Sequence, residues 1–215
     1  MTTHAHQESL TPAEHRAYWE DRYSGEHMWS GNPNGPLVEA LTVRPVVGET
    51  ALDLGCGTGA DAIWLAQHGL RVTGVDIADA ALRQAAEAAS SAGVADRIEW
   101  ARADLDDWEP DRTWDLVLAS FLHSPAVSDR APLLDRVREW VAPGGELIVL
   151  SHLRAPEWRE PHDMHLPSLR EIEKCLGRPG WSVESAGETV TDMPSPEGAP
   201  GTRVDTLVRV RRAAS

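Results

Sequence analysis

Residues 50–61 combine an acid, three closely spaced glycines and the start of a helix. The apolar residues before the glycines predict a buried strand, which Asp53 interrupts once. Gly55, Gly57 and Gly59 then predict a tight turn, and helical composition follows over residues 60–68. Such a turn brings bare backbone N–H groups and the positive end of a helix against a ligand. The stretch therefore predicts a binding site for an anionic or polar small molecule.

A second acid makes this site one for a nucleotide-like cofactor. Asp76 ends the next apolar run, 72–75, and follows Asp53 by 23 residues (76 − 53). In a doubly wound sheet, an acid at this position reaches ribose hydroxyls. The pattern Gly55-x-Gly57-x-x-Ala60 also fits the dinucleotide fingerprint, so the glycines alone do not identify the cofactor.

Three further features argue against a dinucleotide. Asp53 places negative charge where a pyrophosphate would lie, and it suits a ligand that presents an ammonium group. Asp104 and Leu105 follow the third predicted strand and offer a carboxylate and an apolar side chain to an adenine edge. Residues 141–145, Val-Ala-Pro-Gly-Gly, predict a tight turn that has no role in dinucleotide binding.

Strands and helices alternate through the middle of the chain, and the strands are apolar throughout. This pattern predicts a parallel sheet with helices on both faces. The strands are predicted at 71–75, 97–101, 114–119 and 146–151, and the helices between them at 79–92 and 128–141. After a proline-rich insertion at 153–167, the sequence predicts a helix over 168–176 and an antiparallel hairpin from strands 181–188 and 202–211.

The chain before the glycine turn predicts helices joined by a loop. Residues 1–10 are polar and predict a flexible tail, and a helix begins at Thr11-Pro12. The aromatic residues of this segment favour either packing on the sheet or a lid over the cofactor, with Trp29 as an apolar wall. We therefore divide a single domain, 11–215, into a helical lid (11–49), a cofactor-binding core (50–152) and a substrate-side insertion with the hairpin (153–215).

Composition limits the partners and the compartment. The 215 residues hold 20 Lys and Arg against 34 Asp and Glu, a formal net charge of −14. Such a surface repels phosphate backbones, so neither nucleic acid nor an anionic membrane is expected as a partner. Two cysteines make no disulfide framework, and neither a signal peptide nor a membrane span is evident. We expect a cytoplasmic protein, a monomer or a homodimer, that acts on a small molecule.

Five segments in order resemble the motifs of class I S-adenosylmethionine-dependent methyltransferases. They are DLGCGTG, VTGVD, ARADL, WDLVLASFLH and VAPGGELIVLSH, and together they span roughly residues 50–152. The resemblance implies an α/β fold, a Rossmann-like seven-stranded, mostly parallel sheet with a C-terminal antiparallel hairpin. More loosely, YWEDRY, WSGNPN and the tail TRVDTLVRVRR resemble the bacterial tellurite-resistance and thiopurine S-methyltransferase-like group.

The resemblance implies a cofactor, S-adenosylmethionine with S-adenosylhomocysteine as product, and a role for each motif residue. Asp53 would hold the ammonium group, Asp76 the ribose hydroxyls, and Ser120 would offer its backbone near the methionine moiety. Ile77 would pack on the adenine, whose edge Asp104 and Leu105 would contact. The glycine turn, Gly55, Cys56, Gly57 and Gly59, would meet the methionine part.

Two histidines follow neighbouring strands at the edge where open α/β sheets bind ligands. His123, after the fourth strand, is our first candidate for a base or substrate-orienting group, and His152, after the fifth, is the second. A hydroxyl or amine acceptor needs such a base, whereas a thiol or heavier chalcogen ionises easily and needs little help. The narrower resemblance favours a soft nucleophile, with O- or N-methylation or a non-catalytic sensor as alternatives. His162 and His165 lack a metal-ligand spacing, and no metal is expected.

Overall fold

The computed structural model describes residues 11–25, 31–123, 131–158 and 166–214. Helices and strands alternate through much of its middle part, as the sequence predicts. The helices are α1 (Pro12–Ser24), α2 (Gly35–Val43), α3 (Ala60–Gln67), α4 (Asp79–Ser91), α5 (Ala131–Val137) and α6 (Leu169–Leu176). The first of them starts at a capping box, in which Thr11 accepts from the Glu14 amide and the Glu14 carboxylate accepts from the Thr11 amide. No helix in these ranges is long and apolar enough to cross a bilayer.

The described strands form one seven-stranded sheet. They are β1 (Thr50–Leu54), β2 (Arg71–Asp76), β3 (Ile98–Arg102), β4 (Trp114–Ser120), β5 (Val141–Arg154), β6 (Trp181–Asp192) and β7 (Thr202–Arg212). Their order is β3-β2-β1-β4-β5-β7-β6. The first five are parallel to one another, and β7 pairs antiparallel with both β5 and β6. The predicted Rossmann-like, mostly parallel sheet with a C-terminal antiparallel hairpin is confirmed.

Both faces of the sheet are buried, because successive side chains of a strand point to opposite faces. Leu52, Val117 and Leu147 lie in one apolar cluster, which α5 and α6 cover. Leu116 and Ile148 lie in the other cluster, which contains α2 and α3. Burial on two faces explains why the central strands are continuously apolar.

The predicted boundaries differ from the structure most around the fifth strand. That strand starts at Val141 and not at residue 146, so the Pro-Gly-Gly segment predicted as a turn lies inside it. The register between β4 and β5 shifts at this point, because Trp114 pairs with Val141 and Leu116 with Glu146. This bulge absorbs the turn-forming residues. The preceding helix ends at Val137 and a 3₁₀ turn follows over Arg138–Trp140, while residues 128–130 lie outside the described ranges.

A buried charge network joins β5, β7 and the end of α2. The Glu146 side chain is 1% exposed and accepts from Nε (3.1 Å) and Nη2 (2.5 Å) of Arg209. Arg211 donates to the other carboxylate oxygen. The remaining terminal nitrogen of Arg209 donates to the backbone carbonyl oxygens of Ala40 and Arg44, at 3.3 and 2.7 Å. Glu146 therefore compensates the buried Arg209 and also pairs with the partly exposed Arg211.

We expect Glu146→Gln to lower the free energy of unfolding by about 3–5 kcal/mol, because it leaves the buried Arg209 without a counter-charge. Urea unfolding followed by circular dichroism measures the loss. Glu139→Gln is the matched control, since Glu139 pairs with Arg212 at the surface and is 73% exposed; its loss should stay below about 1 kcal/mol. Equal losses in the two variants would contradict the expectation.

Candidate functional site

A cavity of about 640 Å³ opens at the carboxyl ends of the parallel strands. Residues from the glycine turn, from α1, from the segments after β2, β3 and β4, and from β5 itself line it, so His152 lies inside the fifth strand and not after it. The lining includes these residues predicted from the sequence: Asp53, Gly55, Cys56, Gly57, Asp76, Ile77, Asp104, Leu105, Ser120, His123 and His152. Trp29, His162 and His165 lie outside the described residues.

Asp76 fixes the glycine turn against the end of β2. Its buried carboxylate accepts from the Gly57 amide and from the Ala78 amide, each at 2.9 Å. Burial raises the pKa of Asp76, and these amide hydrogen bonds oppose the rise. A carboxylate oxygen has a second lone pair, so the same group can also accept from ribose hydroxyls.

Asp53 is a buried carboxylate that calls for a cation. It is 2% exposed, and its pKa lies well above the usual range because of burial and because Asp61 and Asp76 add negative charge. The Ala62 amide, in the first turn of α3, donates to it. In the same lining, the buried Ser120 hydroxyl has no hydrogen-bond partner among the residues that the structure describes. A polar ligand would satisfy the hydroxyl and an ammonium group the carboxylate, so these residues fit a cofactor with a cationic amino-acid end.

Asp61 forms part of the same wall, and the sequence analysis did not identify it. Its two carboxylate oxygens accept from the Asn34 backbone amide and from the Asn34 side-chain amide, each at 2.8 Å. The pair fixes the loop before α2 on the start of α3, and residues 31–35 line the cavity as a result. The Asn-Pro-Asn-Gly composition predicted a loop, but the contact joins residues 27 apart and has no local signal.

Another part of the cavity wall comes from α1 and from the segment after β3. Trp19 donates to Nε2 of His15 at 3.1 Å, and Nδ1 of His15 lies 3.9 Å from the Asp104 carboxylate. Leu105 is buried in the main apolar cluster as well as lining the cavity, whereas Ile77 is only half-buried. This end therefore offers a carboxylate and apolar surface together, as an adenine requires.

Gly59 has a packing position and is not among the lining residues. It caps α3 with φ of +81°, and a Cβ there would come within 2.6 Å of Trp100 and 2.9 Å of Ala85.

Cys56 lies in the turn, where burial raises the pKa of its thiol well above the usual range. A thiol held neutral in this way is a poor nucleophile.

The segment after β4 brings aromatic rings against His152. Phe121 adopts φ of +48°, a conformation that costs a non-glycine residue about 1 kcal/mol or more and that clusters at functional sites. Its ring stacks on the His152 ring at 4.3 Å between centroids, and the His123 ring stacks on His152 at 5.3 Å. The Nε2 atom of His123 accepts from the His152 backbone amide at 3.2 Å. The Nε2 atom of His123 is therefore already occupied by a hydrogen bond within the protein.

His152 is held by a carboxylate on the neighbouring antiparallel strand. Asp205 lies directly opposite it in the β5–β7 register and accepts from its Nδ1 at 2.7 Å. The second oxygen of Asp205 accepts from Nε of Arg203 at 2.8 Å. Asp205 itself is 1% exposed. The bond places the proton of a neutral imidazole on Nδ1 and leaves Nε2 as the acceptor, which is the state a general base needs.

Sequence reasoning missed Asp205 and Arg203 as site residues. An acid inside a strand of valines and arginines is the one local signal for Asp205. Its partnership with His152, 53 residues away, depends on the register of an antiparallel pair, which a single sequence does not specify.

Residues 51–145 match the family model described as a methyltransferase domain. With the fold above, this match confirms the resemblance to class I S-adenosylmethionine-dependent methyltransferases. The cofactor of such domains is S-adenosylmethionine, and the buried Asp53, the amide-bound Asp76 and the unpartnered Ser120 hydroxyl fit it. The narrower resemblance to the tellurite-resistance and thiopurine group stays a prediction.

The names of the curated relatives describe methyltransferases for different kinds of acceptor. The chain is 27% identical to a 2-heptyl-1-hydroxyquinolin-4(1H)-one methyltransferase from Mycobacteroides abscessus, over 82% of this chain and 78% of that one. It is 31% identical to the 27-O-demethylrifamycin SV methyltransferase of Amycolatopsis mediterranei (66% and 52%) and 28% identical to a probable thiol methyltransferase 2 of Arabidopsis thaliana (74% and 70%). It spans only 52% of the length of the 27-O-demethylrifamycin SV methyltransferase and only 25% of the length of a further relative, the phosphoethanolamine N-methyltransferase 3 of Arabidopsis thaliana.

Solved structures share the fold over nearly the whole chain. A structure from work on the conversion of a disulfide bond into a thioacetal group in echinomycin biosynthesis is 25% identical, with a TM-score of 0.67 over 96% of this chain and 94% of that one. The DhpI–SAH complex is also 25% identical and has a TM-score of 0.60 over 100% of both chains.

We expect S-adenosylhomocysteine to bind with release of protons, because the pKa of Asp53 is raised in the free protein and a neighbouring ammonium favours its carboxylate form. Below the raised pKa the free protein holds a proton that binding must expel, so affinity falls as pH falls, by about tenfold per pH unit for each proton. Calorimetry in two buffers of different ionisation enthalpy counts the protons.

Asp53→Asn should weaken binding and reduce proton release, whereas Asp96→Asn, at an exposed position, should change neither. Proton release that is the same in Asp53→Asn as in the parent protein would show that another group supplies it.

Proposed function

We propose that this chain methylates an oxygen or nitrogen of a small molecule, with S-adenosylmethionine as donor and His152 as general base. The observation that carries the proposal is the Asp205–His152 hydrogen bond of 2.7 Å at the wall of the cavity. A buried carboxylate on Nδ1 orients the imidazole and stabilises it once it takes up a proton. Oxygen and protonated nitrogen acceptors need such a base.

The cofactor, when bound, supplies a methyl group already activated on a sulfonium. The residues of the chain then need to hold the cofactor, align the acceptor with its methyl group and shield both from water. The glycine turn, Asp53 and Asp76 would hold the methionine and ribose parts, and Asp104 would meet the adenine. His15, Trp19 and Tyr23 of α1 line the same end, which supports a covering role for residues 11–49. Alignment of an in-line displacement in a shielded cavity supplies most of the rate that such a protein contributes.

His152 is the better candidate for the base than His123. The Nε2 of His123 already accepts from the His152 backbone amide, so it is occupied in holding the two segments together. The Nδ1 of His152 donates to Asp205, so Nε2 of His152 is the nitrogen that can take the proton from the methyl acceptor. We therefore assign His123 a positioning role and reverse the order of preference stated from the sequence, in which His123 came first.

A sulfur or heavier chalcogen acceptor is the second candidate. The relative named as a probable thiol methyltransferase supports it, as does the 25% identical structure from work on a thioacetal. A thiol has a pKa of about 8.5 and reaches the thiolate without a dedicated base. On this alternative, the His152–Asp205 pair contributes to structure rather than to proton removal.

The test is methyl transfer from labelled S-adenosylmethionine to a panel of phenols, amines, thiols, selenite and tellurite. If an oxygen or nitrogen acceptor is used, His152→Gln should lower kcat by about 10²–10⁴. Asp205→Asn should lower kcat as well, because it no longer fixes the tautomer. His68→Ala is the control, since His68 is the exposed C-cap residue that follows α3, outside the cavity lining.

S-adenosylhomocysteine affinity and thermal midpoint report whether each variant is folded. Turnover of thiols or chalcogen anions that His152→Gln barely changes would select the second candidate. Tight cofactor binding without transfer to any member of the panel would favour a protein that senses the cofactor.

A further inference from the structure

We propose that the methyl acceptor carries an anionic group, a carboxylate or a phosphonate, and that Arg203 binds it. This inference rests on the proposed function and names a class of acceptor for it. Its basis is the position of Arg203 in the cavity wall beside His152, with Asp205 bonded to both side chains.

Arg203 is held so that part of its guanidinium group faces the cavity. Nε donates to Asp205 at 2.8 Å, and the Cζ atom lies 5.9 Å from the centre of the Phe121 ring. These contacts fix the plane of the guanidinium group through one edge. The side chain is still 29% exposed, and it lines the cavity. The two terminal nitrogens thus form a fork that suits a carboxylate or a phosphonate.

Charge is divided between the two ends of the cavity. Among the described lining residues, Asp53, Asp61, Asp76 and Asp104 are acids, and all of them lie toward the glycine turn or the adenine end. Arg203 is the one lysine or arginine in that lining. Asp205 offsets part of the Arg203 charge, but that carboxylate is 1% exposed and the arginine side chain 29%, so the group that meets an entering anion is the guanidinium, next to the proposed base.

The cofactor's own carboxylate is a poor match for Arg203. The order β1-β4-β5-β7 separates the backbone of the strand before the glycine turn from the backbone of the strand of Arg203 by three strand spacings, about 14 Å. The guanidinium group leans toward Phe121, which follows β4, so it still lies beyond the strand next to β1. The ammonium and carboxylate of an amino acid are bonded to the same carbon atom, so a carboxylate lies close to Asp53 if the ammonium does. The acceptor is therefore the molecule that reaches Arg203.

The geometry also relates the anionic group to the reacting atom. Arg203 and Asp205 are two residues apart in β7 and so lie on one face of the sheet, and His152 is the cross-strand partner of Asp205. A small molecule held at Arg203 consequently presents its neighbouring hydroxyl or amine to His152. The anion selects and orients the acceptor, and the imidazole takes its proton.

Binding of simple anions tests the inference without turnover. The protein is saturated with S-adenosylhomocysteine and titrated with benzoate, phenylphosphonate or neutral benzamide, and NMR shift changes give the dissociation constants. We expect the two anions to bind about tenfold more tightly than benzamide. Arg203→Gln should abolish this preference, and Arg203→Lys should retain part of it because it keeps the charge without the fork. Arg178→Gln, at an exposed site, should behave as the parent protein.

Equal binding of anions and benzamide, or no binding of any probe, would overturn the inference, as would a preference that survives in Arg203→Gln. Arg203→Gln that weakens S-adenosylhomocysteine and the anions together would assign Arg203 to the cofactor instead. A parent protein that does not bind S-adenosylhomocysteine contradicts the proposed function itself. The same titration of the ligand-free protein then judges the anion preference separately.

Discussion

Buried carboxylates organise the ligand-binding edge of the sheet, because a carboxylate removed from water must find amide donors or a cation. Asp76 meets this need at the glycine turn and Asp61 at Asn34. Asp53 meets it only partly, at the Ala62 amide. The turn, the loop before α2 and the start of α3 are therefore held by the acids that would surround a cationic cofactor. The same buried carboxylates therefore determine both the shape of this end of the cavity and its preference for a cation.

The other end of the cavity depends on a carboxylate that has two partners. Asp205 accepts from an imidazole and from a guanidinium, each through a different oxygen. The arginine stays charged at any physiological pH, so it compensates Asp205 when the imidazole is neutral. The imidazole can then act as an acceptor toward the cavity, and its protonated form is still stabilised by the same carboxylate. On the proposed function, this one buried anion supports both the binding of the acceptor and the transfer of its proton.

The parts predictable from the sequence are those whose determinants are local. Strand, glycine turn and helix follow one another within residues 50–68, so the position of the turn could be read directly, as could Asp76 at the end of the next apolar run. The start of β5 could not, because Pro143 and Gly144 favour a turn and only the bulge opposite Trp114 keeps them in the strand. The Asp61–Asn34 and Asp205–His152 pairs depend on tertiary register, which local composition does not encode.

Most residues at the proposed cofactor end of the cavity follow local sequence patterns, whereas those at the proposed acceptor end depend on tertiary register; the Asp61–Asn34 pair, at the cofactor end, is the exception. The matched domain ends at residue 145, whereas His152, Arg203 and Asp205 lie beyond it. A strand that continued the parallel sheet would bring its carboxyl end to this edge. Because β7 runs antiparallel to β5, its first residues arrive there instead, opposite His152. The direction of this one strand puts a carboxylate and a cation at the acceptor end. Substitutions at the start of β7 can therefore change the acceptor while the residues around the cofactor stay the same.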